Sequence, residues 1–157
     1  MIGRMFGRRT TLPSPPGGDA ARARNDVVLA AIGRQIEQSG YRALTMNEKV
    51  IWNGASLIEL LTLYRNFGDG PRVRDPRRMY DWNGAIALFK IIKMPALVSI
   101  AERYRDVGPS PSDDSDDEGR ERFDAAVAIG NDWAAIWDDY DLDAALFKYI
   151  AACYRPE

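Results

Sequence analysis

The sequence predicts an all-α protein, a compact single-domain multi-helix bundle, and three observations carry that expectation. Apolar residues recur at three- and four-residue spacing in one segment after another, the period of a helix with one buried side. No pair of alternating apolar runs is joined by a hairpin turn. Prolines, glycines and acidic runs collect between the periodic segments, where a bundle needs its connections.

Residues 1–20, rich in Arg, Pro, Gly and Ser, show no sustained period and read as a flexible arm ahead of a helical domain over 21–157. The first helix is expected from about Ala21 to Ser39, with Val28, Ile32 and Ile36 four residues apart, Leu29 beside them, and Gly40 as the stop. Thr45 and Glu48 have capping-box spacing and should start the second helix, whose apolar side is Val50, Ile51, Leu57, Ile58, Leu61 and Tyr64. Asn53-Gly54 falls inside this pattern and reads as a break, since both residues favour turns. After the loop RNFGDGPRVRDPRR, a third segment covers roughly Gly84–Lys93, with Asp81 or Asn83 as its cap. Pro95 suits the first turn of a fourth helix, which should bury Leu97, Ile100 and Ala101. A polar connection, mobile near 109–119, leads to the strongest stripe: Phe123, Ala126, Val127, Gly130, Trp133, Ile136 and Trp137. Asp141 caps a last helix striped by Leu142, Leu146, Tyr149, Ile150 and Cys153.

Composition narrows the function classes. With 157 residues, 46% of them hydrophobic and 28% charged, the chain has the make-up of one globular domain. No apolar run approaches the ~20 residues that cross a bilayer, and the N-terminal arginines precede no signal-like apolar stretch. Cys153 is the only cysteine, so no intrachain disulfide forms, and it reads as core packing in a cytoplasmic protein. Histidine is absent, which removes Ser-His-Asp, Cys-His and histidine-zinc chemistry. An enzyme would have to work with Asp, Glu, Lys or Tyr, and no pair stands out as catalytic. Neither a cofactor nor a metal is expected.

The tetrapeptide WNGA occurs at Trp52–Ala55 and again at Trp82–Ala85. Similarity decays immediately outside the two copies, and a helical repeat array needs at least three. Trp52, Asn53, Gly54, Trp82, Asn83 and Gly84 therefore read as structural, Asn-Gly turning the chain while Trp and Ala pack. An exposed recognition feature is the functional alternative.

LTMNEKVIWNGASLIELLTLYRNFGD resembles the opening of a helical family of DNA-mimic proteins, whose members often carry Asn-Gly-Gly followed by aromatic residues. AIALFKIIKMPALVSIAERY is similar to that family's next segment, and FDAAVAIGNDWAAIWDDYDLDAALFKYI to its acidic C-terminal one. Together the three pieces cover about half of the chain. Here Ala55 stands where the second glycine would be, aliphatic residues replace most of the aromatics, and Asn83-Gly84 has no obvious counterpart. The resemblance implies a helical fold and, less directly, mimicry of DNA.

Charge is segregated along the chain. Residues 1–112 hold 17 Lys or Arg against 10 Asp or Glu, a net +7, whereas residues 113–143 hold 2 against 12, a net −10. A DNA mimic needs spaced anions that a basic site would otherwise meet as phosphates. Asp132, Asp138, Asp139, Asp141 and Asp143 are the candidate partner-binding residues. Asp113, Asp114, Asp116, Asp117, Glu118 and Glu121 populate the connection before them. The alternating aspartates of DYDLD do not make an EF-hand, because Ala144 and Ile150 occupy its glycine and glutamate positions. A solvated acidic loop with ordinary helix caps explains the same residues without a partner.

A competing reading starts from Arg72, Arg74, Arg77 and Arg78 in RVRDPRR, which could meet nucleic-acid phosphates directly. No reader motif accompanies them. The favoured expectation is a non-enzymatic interaction protein that binds a basic or DNA-binding protein rather than a membrane. Self-association stays open, as do direct nucleic-acid binding through the arginine loop and Asp/Glu-based enzyme chemistry.

Overall fold

The computed structural model of the chain describes residues 18–67, 78–107 and 117–155. Among these the regular elements are all helical: α1 (Gly18–Ser39), α2 (Met46–Phe67), α3 (Trp82–Ile91), α4 (Pro95–Val107), α5 (Asp117–Ile136) and α6 (Leu142–Cys153). Short 3-10 turns stand at Tyr41–Ala43 and Trp137–Asp139. The all-α, multi-helix expectation is what the structure has. Of the arm expected over 1–20, residues 1–17 lie outside the described residues, and Gly18 already begins α1. Of the loop expected near 109–119, residues 109–116 also lie outside, while residues 117–119 belong to α5. Asp117 and Glu118 stand in that helix's first turn, where carboxylates favour the positive end of its dipole.

The chain divides into two compact units, residues up to Glu48 with those from Asp141 onward, and Lys49–Tyr140. In the first, α1 packs against α6. Its buried stripe is Ala21, Asn25, Leu29 and Ile32, and α6 contributes Leu142, Leu146 and Ile150. Each large aliphatic side chain buried this way contributes about 1.5–3 kcal/mol. Val28 and Ile36, expected on the inner side, are only half-buried because the stripe runs through Leu29. Gly40 ends α1 at φ 86°, a backbone state that side chains rarely adopt. The capping box then forms as expected. Thr45 N–H donates to Glu48 Oε2 at 2.7 Å, and Glu48 N–H donates to Thr45 Oγ1 at 3.2 Å.

In the second unit α4 packs against both α3 and α5. Here α2 is buried around almost its whole circumference from Val50 to Leu61. Asn53-Gly54 does not break it, so the expected interruption is corrected: the helix runs unbroken through both residues. Their poor helix propensity, up to about 1 kcal/mol for Gly, is overridden by packing. A Cβ on Gly54 would overlap Leu88 Cδ2 and lie 3.0 Å from Leu88 Cβ, so α3 approaches α2 only because that atom is missing. Trp133, 2% exposed on α5, donates its indole N–H to the Leu61 carbonyl at 2.9 Å. α3 closes with Ile92 N–H on Leu88 O and Met94 N–H on Phe89 O, and Lys93 between them takes φ 60°. That left-handed position usually belongs to glycine. Pro95 then opens α4.

Candidate functional site

The acidic residues singled out from the sequence do not share one environment. Asp132 is exposed on α5 and pairs with Arg103 of α4 at 2.7 Å. With both partners solvated, the pair contributes about 0–1 kcal/mol. Asp138 and Asp139 are exposed in the turn that follows α5 and form no ion pair among the described residues. Asp141 caps α6, its Oδ1 accepting the Ala144 N–H at 3.0 Å. Asp143 is half-buried, with Arg22 Nε and Nη2 donating to Oδ2 at 3.2 and 3.1 Å. Asn25 Nδ2 donates to the Asp143 carbonyl at 2.9 Å. Burial raises the Asp143 carboxyl pKa above 3.8, the Arg22 guanidinium opposes that shift, and Asp141 and Asp26 add to it. Asp132, Asp138 and Asp139 belong to one compact unit, Asp141 and Asp143 to the other. Capping and pairing therefore occupy three of the five carboxylates.

The last turn of α5 carries no basic residue, and Asp138 and Asp139 follow it after Trp137, in the 3-10 turn Trp137–Asp139. The carbonyl end of a helix is its negative pole, so these carboxylates reinforce the local potential rather than offset it. Exposed anions on such a pole cost the folded state a few tenths of a kcal/mol and gain from a cation brought by another molecule.

The WNGA copies meet in space within the second unit. Asn53 is fully buried, and its Oδ1 accepts Tyr80 N–H at 2.8 Å and Asp81 N–H at 3.1 Å. Its Nδ2 donates to Lys49 O at 2.9 Å. A Cβ on Gly84 would sit 3.2 Å from Asn53 Nδ2, so the glycine of the second copy makes room for the asparagine of the first. Trp52 donates its indole N–H to Arg78 O at 2.9 Å, and Ser56 Oγ donates to Trp52 O at the same distance. The second copy is used differently. Asp81 caps α3 through Asn83 N–H, and exposed Asn83 accepts Arg105 Nη1 at 2.9 Å. Trp52 and Trp82 are both half-buried, whereas Ala55 and Ala85 are in the core.

Of the arginine loop, Arg72, Arg74 and Arg77 lie outside the described residues. Arg78 is exposed, its guanidinium carbon 4.6 Å from the Tyr80 ring centroid, a cation–π distance. Among the described residues no three His, Cys, Asp or Glu side chains gather in a metal-holding group, and no helix is long and apolar enough to cross a membrane. Sequence reasoning missed Arg22, Asn25 and Arg103 as partners of the acidic residues. No local signal marks them, because each lies far along the chain from the residue it meets. Comparison of the chain with family models, curated proteins and solved structures finds no match.

Proposed function

We propose that this is a non-enzymatic interaction protein whose acidic C-terminal region engages a basic protein, in the cytoplasm, by occupying the surface with which that partner holds DNA. One observation carries the reading. Asp138 and Asp139 stand exposed at the negative pole of α5 with no cation answering them among the described residues. Residues 113–143 add a net −10 around that point in the sequence. Specificity for a DNA-binding surface rests on the resemblance to DNA-mimic proteins, since the charge alone favours any basic partner.

The test separates binding from folding. Asp138→Asn with Asp139→Asn removes two exposed charges that form no ion pair among the described residues, so the fold should be unchanged by circular dichroism. A basic partner captured by pull-down should bind this variant more weakly, with a shallower dependence on salt. Duplex DNA should compete with the protein for that partner. Full retention of affinity and salt dependence in the double variant would overturn the reading. Tight direct DNA binding by the protein itself, lost on substituting Arg72, Arg74, Arg77 and Arg78, would replace it with the arginine-loop alternative.

A further inference from the structure

The corner between α3 and α4 holds a cleft of about 300 Å³, lined by Phe89, Lys90, Lys93, Met94, Pro95 and Val98. That volume is at the lower end of the ~300–1,000 Å³ range of ligand clefts, enough for anchor side chains rather than a whole enclosed ligand. Four of the six lining residues are apolar. The other two are lysines, both exposed. Between Trp82 and Ala101 the chain has no acidic residue at all, although it contains 23 elsewhere. The cleft thus pairs an apolar floor with a rim whose own two helices contribute only positive charge up to Glu102.

Lys93 adds a backbone observation. It occupies the left-handed position of the α3 terminus at φ 60°, where glycine fits without strain. A cation there does favour the carbonyl end of the helix. The dipole accounts for the charge but not for the apolar cleft on which both lysines border.

We propose that this corner docks an acidic amphipathic segment of a partner protein, its apolar anchors on Met94, Pro95 and Val98 above the buried Phe89 and its carboxylates on the Lys90 and Lys93 ammonium groups. Charge complementarity selects this occupant. A nucleic acid backbone needs a run of cations, whereas here two cations frame an apolar floor. A helical peptide presents apolar and acidic side chains one turn apart, matching a small cleft with a charged rim. The site is separate from Asp138 and Asp139 and does not depend on their role.

The probe is a fluorescently labelled helical peptide with a leucine stripe flanked by glutamates, read by anisotropy against the full chain. A control peptide carries lysines in place of the glutamates. The acidic peptide should saturate binding and the basic one should not. Lys90→Glu with Lys93→Glu, both exposed and expected to leave the helical content intact, should weaken the acidic peptide about tenfold or more. Lys93→Gly should weaken it while raising the melting temperature, which a damaged fold would not do. Asp138→Asn with Asp139→Asn should leave peptide affinity unchanged. Equal binding of both peptides, or affinity unmoved in the double-lysine variant, overturns the proposal. So does a concentration-dependent dimer in sedimentation that the lysine reversals abolish, or lysine-dependent binding of oleate or duplex DNA without binding of the peptide.

Discussion

Replacing Asn53 with alanine tests whether a buried asparagine holds the two WNGA segments together. The substitution removes the acceptor for the Tyr80 and Asp81 amides, at 2.8 and 3.1 Å, and the donor to Lys49 O. A buried hydrogen bond contributes about 1 kcal/mol net, and a donor left without its acceptor costs about 1–3 kcal/mol. Tyr80 is half-buried and Asp81 exposed, so water reaches part of the vacated site and the lower end of that range applies. Alanine recovers up to about 0.7 kcal/mol of helix propensity. The balance is a loss of about 2–3 kcal/mol, which for a chain of this length lowers Tm by about 5–10 °C. Chemical denaturation should give the same loss, and hydrogen exchange should show the Tyr80 and Asp81 amides losing protection ahead of α5. Asn83→Ala is the matched control. Its exposed side chain accepts a hydrogen bond from Arg105 and reaches no backbone amide of another segment among the described residues, so stability should change by less than about 0.5 kcal/mol. Equal effects of the two substitutions, or unchanged protection at Tyr80 and Asp81 in Asn53→Ala, would refute the assignment.

Gly54→Ala should destabilise by about 1–3 kcal/mol despite its better helix propensity, because the added methyl overlaps Leu88; a raised urea midpoint would contradict the close α2–α3 approach. Thr45→Ala removes one half of the capping box and should cost about 1 kcal/mol by thermal melting. Asp143 has its folded-state pKa raised above 3.8, so the folded chain binds its proton first as pH falls. Its contribution to stability therefore rises on acidification from above that pKa down to about 3.8, and is lost as pH increases through the window. Urea midpoints measured across this range should show that rise reduced in Asp143→Asn, and a side-chain NMR titration should place Asp143 above the ordinary aspartate value.

Helix identity, order and most boundaries were legible in the sequence because they arise from interactions three or four residues apart. The Thr45–Glu48 box, the Asp81 and Asp141 caps and the Gly40 stop all lie where local chemistry puts them. Asn53-Gly54 has the local chemistry of a turn, yet stands inside α2. Its reasons are the Tyr80 and Asp81 amides, 27 and 28 residues away, and Leu88 on another helix. The acidic residues were legible as a run but not as individuals. Asp143 is engaged because Arg22, 121 residues distant in sequence, comes within 3.1 Å of it, and Asp132 because α4 brings Arg103 alongside. Caps and periodicity are properties of one turn of chain, which a sequence states directly. Which carboxylates remain for another molecule depends on where distant cations arrive, and only tertiary packing determines that.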